Sequence, residues 1–154
     1  MFPGSRSKAL AKEQERQRQL QEQEEREKLH ADICKYIEED DLDKLKEYVP
    51  SVVPIDEVFQ EASINTWKGL KTSLLHIAAG YGSEFCLIYL LEQGANVMAR
   101  DGDKRTPLHE SAQNGTLSIF HKLLNAGADP EAVDDYNILL FLTEHSTSSC
   151  IFRR

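Results

Sequence analysis

Two stretches of this chain, Ser73-Leu74-Leu75-His76 and Thr106-Pro107-Leu108-His109, stand 33 residues apart, and the same step persists well beyond them. Gly82 maps onto Gly115, Leu90-Leu91 onto Leu123-Leu124, Gly94-Ala95 onto Gly127-Ala128, Ala99 onto Ala132 and Asp101 onto Asp134. A period of this length marks a supersecondary unit that cannot bury its apolar face alone, so successive units must stack on one another. Few other features limit the possible folds as tightly.

Each unit reads as two short helices. Leu75, Ile77, Ala78 and Ala79 open the first, and Phe85, Cys86, Leu87, Leu90 and Leu91 form the second. One step on, Leu108 and Ala112 correspond to the first helix, and Leu117, Ile119, Phe120, Leu123 and Leu124 to the second. Ala79 and Ala112 are small enough to let helices approach closely, while Gly82 and Gly115 suit a left-handed termination between them. These positions together resemble the ankyrin repeat, a β-hairpin followed by two antiparallel helices. The resemblance implies an all-α solenoid with short hairpin loops, preceded here by a polar N-terminal helix. It also implies non-catalytic work as an adaptor, scaffold or inhibitor that contacts a protein partner. In that family the hydroxyl residue and the His of the tetrapeptide form a structural hydrogen-bond network, which assigns Ser73, His76, Thr106 and His109 to structure. Leu74 departs from the family's proline, so the first of these helix starts is less firmly fixed. Some family members are hydroxylated at an Asn, but Met98 and Glu131 occupy the corresponding positions here and should not be modified.

The flanks divide the chain further. Residues 1–28 form a charged extension, helical or disordered, with Glu22/Arg26 and Glu24/Lys28 at i,i+4 spacing. From Lys8 to Lys28 the large apolar residues are Leu10 and Leu20, and a gap of ten does not sustain a heptad seam. Residues 29–142 are the predicted repeat domain: a cap at 29–49, an insertion at 50–66, repeats at 67–99 and 100–132, and a partial repeat at 133–142. In the cap, Leu29, Ile33, Tyr36 and Ile37 mark one helical face, and Leu42, Leu45, Tyr48 and Val49 a second. Asp40 to Val49 aligns with Gly82 to Leu91, which makes the cap a degenerate first repeat whose acidic run gives it a polar outer side. The insertion adds nine residues to the connection; Pro50 and Pro54 interrupt helix, and an extra helical turn is expected over Asp56 to Ala62. After Asp134-Asp135-Tyr136-Asn137 the motif gives way to the apolar run Ile138 to Leu142. That run reads as an unfinished repeat of a longer or alternatively ended array, or as one terminal helix, with no partner for it evident in the tail at 143–154.

Charge narrows the partners. The formal net charge is −8, and because residues 1–28 carry seven Lys or Arg against six Glu, the remainder carries −9. Nucleic-acid binding needs clustered Lys and Arg, so that class is disfavoured and a protein partner with a basic surface fits better. Cys34, Cys86 and Cys150 are odd in number and widely spaced, as in a reducing compartment. No secretory h-region and no apolar run near 18 residues is present, which points to cytoplasm or nucleus and to no membrane span. No nucleophile elbow, phosphate loop or ligand-spaced His, Cys or carboxylate group occurs, so no catalytic residue, metal site or cofactor is expected.

The family resemblance places variable contact positions on the hairpin tips and the exposed side of each first helix. In this chain they include Leu70, Thr72, Tyr81, Asp103, Arg105, Gln113, Asn114 and Tyr136, with Trp67 flanking them. Aromatic and Arg residues dominate interface energetics, which favours Trp67, Tyr81, Arg105 and Tyr136 as anchors. An alternative is a regulatory or targeting fragment in which the N-terminal charged helix carries the binding and the repeats support it.

Overall fold

The computed structural model describes residues 4–60, 71–135, 139–141 and 151–153; Trp67, Leu70 and Tyr136 lie outside them. Its first element, α1 (Gly4–Glu38), is a single helix of 35 residues, about 50 Å long at the standard rise per residue. No Gly or Pro stands between Ser5 and Glu38, so nothing breaks the helix where the charged extension meets the expected cap. Residues 8–28 are exposed throughout, laced by pairs such as Arg18 with Glu15 at 3.0 Å and with Glu22 at 3.7 Å. The last turns of the same helix then enter the core through His30, Ile33, Cys34 and Ile37.

The chain reverses at Asp40, whose φ of 52° matches the left-handed conformation of Gly82 (78°) and Gly115 (70°) at the equivalent positions. A non-glycine residue is strained there, and its carboxylate offsets the strain. Asp40 Oδ1 accepts from the Cys86 amide at 2.9 Å and Oδ2 from the Phe85 amide at 3.2 Å. One acidic residue thus ends α1 and caps the helix that starts at Glu84. The short helix α2 (Leu42–Tyr48) follows, with Asp41 as its N-cap accepting from Lys44 N at 3.2 Å.

The insertion differs from the expected helical turn. Val58–Gln60 is a strand, β1, paired antiparallel with β2 (Lys71–Ser73) in the register Val58 with Ser73, Phe59 with Thr72 and Gln60 with Lys71. Two forces override the local helical reading. Val and Phe favour a pleated, half-buried surface, and Phe59 is fully buried, its ring 4.2 Å from that of His30 on α1. The Arg26 guanidinium also bonds the Glu57 carboxylate, so the foot of the insertion is fastened to α1.

Two helix pairs complete the stack: α3 (Leu74–Tyr81) with α4 (Glu84–Glu92), and α5 (Pro107–Gln113) with α6 (Leu117–Asn125). An inner row runs α1, α3, α5 and an outer row α2, α4, α6, each helix touching its neighbour in the row. Leu74, Leu75, Ile77, Leu87, Leu90, Leu108, Ile119 and Leu123 belong to the shared core of the stack at 1 % exposure or less. Beyond the second pair, β3 (Leu139–Phe141) pairs antiparallel with β4 (Ile151–Arg153). The apolar run is therefore strand, not a terminal helix, over Leu139–Phe141, and the tail supplies its partner. Its β-branched and aromatic residues are compatible with either state, and the pairing decides between them.

Candidate functional site

The tetrapeptides build the helix starts from which the inner face projects. Ser73 and Thr106 adopt extended backbone as N-caps, and each forms a capping box with the His three residues on. Ser73 Oγ lies 2.8 Å from His76 Nδ1, and Thr106 Oγ1 2.9 Å from His109 Nδ1. The other ring nitrogen of His76 lies 2.9 Å from the Arg105 carbonyl oxygen, which can only accept; Nε2 therefore carries the proton and Nδ1 accepts from the serine. Burial holds this imidazole below the ordinary histidine range. A neutral His76 thus ties the first repeat to the hairpin of the second.

That hairpin is held by Asp101, which is 6 % exposed. Its Oδ1 accepts from the amides of Asp103 at 2.9 Å and Arg105 at 2.8 Å, its own amide donates to the Arg105 carbonyl at 3.0 Å, and Lys104 takes a φ of 59° at the tip. Arg100 Nη1 donates to the carbonyls of Lys104 at 2.8 Å and Val133 at 2.7 Å. The neighbouring tip is joined through the Asp135 amide to the Asp103 carbonyl at 3.0 Å, and through Lys104 Nζ to Asp135 at 2.5 Å.

Arg105 does not project freely from this tip. Its Nη1 lies 2.9 Å from the Glu110 carboxylate, and its Nη2 bonds Gln113 Oε1. Glu110 is 1 % exposed, on the inner side of α5 where the preceding repeat has Ile77. Burial pushes its carboxyl up to about 7, with Arg105 opposing the rise and Asp101 and Asp103 adding to it. The inner face of the second repeat is therefore a coupled group of Asp103, Arg105, Glu110 and Gln113, with exposed Asn114 beside it donating Nδ2 to the Glu110 carbonyl at 3.1 Å.

Not all the sequence-derived positions converge here. Asp103, Arg105, Gln113 and Asn114 share one surface; half-buried Tyr81 sits one repeat away, in the register place of Asn114, packed against the core. Thr72 is 2 % exposed on β2, opposite Phe59, so its side chain faces inward and not toward a partner. Glu110 was missed by sequence reasoning although a charged residue in an apolar register was visible in the alignment of the two repeats. Cys86 is an inert thiol, pushed up to about 12 by burial and by the Asp40 carboxylate. No helix of the described residues is long and apolar enough to cross a membrane.

Comparison with known proteins agrees with this architecture. Residues 33–134 match the family described as ankyrin repeats in three copies. The chain is 41 % identical over 63 residues to the Arabidopsis thaliana ADP-ribosylation factor GTPase-activating protein AGD4, covering 41 % of this chain and 8 % of that protein. It is 48 % identical over 44 residues to ankyrin repeat domain-containing protein 49 of Bos taurus, covering 29 % and 18 % respectively, and 39 % identical over 57 residues to human Rabankyrin-5, covering 37 % and 5 %. The chain thus spans less than a fifth of the length of each of these relatives. Ankyrin repeats are in general modules of protein–protein interaction, and the family is generally non-enzymatic. Matched over three repeats that include the degenerate cap, the chain belongs to the ankyrin-repeat family.

Proposed function

We propose that this chain is a non-catalytic adaptor, scaffold or inhibitor that grips a protein partner with the hairpin tips and inner helices of its repeats. The observation that carries this reading is the group around Arg105, whose side chain is 16 % exposed and held between Glu110 and Gln113. A guanidinium fixed in this way loses little further rotamer freedom on binding, which favours an interface anchor. Carboxylates of Asp103 and Asp135 on adjacent tips fit a partner surface with basic character, Lys104 offsetting part of that charge. Gln113 and Asn114 extend the same face, half-buried Tyr81 holds the corresponding place one repeat away, and Trp67, Leu70 and Tyr136 are assigned to it by sequence register alone.

A photo-cross-linking residue placed at Gln113 of the full chain in cells tests this. Discrete protein adducts that disappear when Arg105→Ala is added are the expected result. A second reading is favoured by the complete exposure of residues 8–28: the polar part of α1 as the docking arm. The same cross-linker at Lys12 separates them. Adducts from Lys12 with none from Gln113 would move the function to the helix.

A further inference from the structure

The outer row carries one feature that neither the inner face nor the family match assigns. Phe85 on α4 is 65 % exposed. At the register-equivalent positions α2 has Asp43 and α6 has Ser118; where α4 has half-buried Ile88, they have Lys46 and His121. Although α6 also exposes Leu117 at its start, at these two register positions the middle helix of the outer row therefore presents an apolar ridge where its neighbours are polar. Nothing in the core requires it, because Cys86, Leu87 and Leu90 on the other side of α4 already make the packing contacts.

Open depressions border the ridge on both sides. One, of about 250 Å³, lies toward α2 and is lined by Leu42, Lys46, Phe85, Ile88 and Tyr89 among others. The other, of about 400 Å³, lies toward α6 between Ile88, Leu91, Lys122 and Asn125. Each depression has one lysine at its far wall. The Lys46 ammonium sits over the Tyr89 ring at 5.6 Å, and Lys122 lies 3.2 Å from Glu84, while Glu92 closes the C-terminal end of both depressions. The Tyr89 hydroxyl donates to the Val49 carbonyl at 2.7 Å, and Asp40 caps the start of α4, so the ridge is held on a rigid base.

We infer that the outer face of α4 is a second docking site, which takes a short amphipathic segment of another protein carrying one or two bulky apolar side chains between two carboxylates. The apolar anchors enter the depressions beside Phe85 and Ile88, and the carboxylates meet Lys46 on one side and Lys122 on the other. Packed helices lie about 8 to 10 Å apart, so the two lysines span up to about 20 Å, or roughly 7 to 13 residues of a helical segment once the reach of the lysines is allowed for. A second copy of this chain fits less well. A specific dimer buries on the order of 800 Å² per partner, more than two apolar side chains provide.

The test uses mRNA display of a random 16-residue peptide library against the immobilised full chain. Enriched peptides should share apolar residues bracketed by Asp or Glu. Their affinity should fall at least tenfold on Phe85→Ser, fall tenfold on the pair Lys46→Glu and Lys122→Glu, and stay within twofold on Arg105→Ala. Phe85→Ser copies the second repeat at an exposed position and should melt within about 2 °C of the parent; Ile88→His, likewise copied from the second repeat, is the independent variant with the same expected loss. Failure to enrich peptides, enrichment without flanking acids, or equal binding to both variants would overturn the assignment. So would a dimer in sedimentation velocity that Phe85→Ser converts to monomer, since the ridge would then be covered by a second copy.

Discussion

The two clear repeats share a backbone and differ in where they place charge. In the first, the inner helix is apolar at Ile77 and the outer helix is apolar at Phe85; in the second, the corresponding residues are Glu110 and Ser118. Both carry the same capping box and the same left-handed glycine between helices. The periodic positions specify the stack, while the non-periodic ones set the chemistry of each side. The proposed inner-face anchor is polar and lies in the second repeat, at Arg105 and Glu110; the proposed outer-face anchor is apolar and lies in the first, at Phe85.

The joint between the repeats offers the sharpest way to break this correspondence. Replacing His76 with Ala removes a fully buried ring together with its bonds to Ser73 and the Arg105 carbonyl, and should cost about 3 kcal/mol by urea unfolding. A loss under about 1 kcal/mol would show that the hairpin of the second repeat does not depend on the first. A smaller contrast comes from the glycines. Gly82→Ala must keep a φ of +78° and brings its Cβ to 3.0 Å from Thr116 Cγ2, whereas Gly115→Ala at +70° meets nothing within 4 Å. The expected costs are about 2 and about 1 kcal/mol respectively. Equal losses would mean that Thr116 yields freely.

The smallest effect concerns Glu110. Its carboxyl titrates at about 7 in the fold and near 4.3 in an unfolded chain. Between those values the folded chain holds a proton that the unfolded chain has released, so this group's contribution to stability falls as pH rises through the window and is fully lost above it. Glu110→Gln should therefore gain about 1 kcal/mol relative to the parent between pH 5 and pH 6, read from paired urea titrations. A constant difference across that range would show that Arg105 keeps the carboxylate charged throughout.

Sequence reading reached the helix pairs because core spacing, capping residues and left-handed turns are local signals repeated one step apart. It missed what distant neighbours impose. Val58–Gln60 became a strand because Phe59 could be buried against His30 and because Lys71–Ser73 offered an edge. Leu139–Phe141 became a strand because Ile151–Arg153 pairs with it. Asp40 could stand where the other repeats use glycine because amides of α4 satisfy its carboxylate. In the candidate site, Asp103, Arg105, Gln113 and Asn114 were legible as variable positions, but Thr72 proved buried, and the link from Arg105 to Glu110 was not visible as spacing.

The amino-acid sequence by itself determined the period, the two helices per unit, the capped helix starts and the acidic balance of the repeats. These follow from short-range preferences and from the need of each amphipathic unit to cover its apolar side. Only the tertiary structure decided which side chains remain available. Arg105 is engaged by Glu110, Thr72 is turned inward and Phe85 is left outward between two lysines, because exposure depends on residues brought together by the stack rather than on neighbours along the chain.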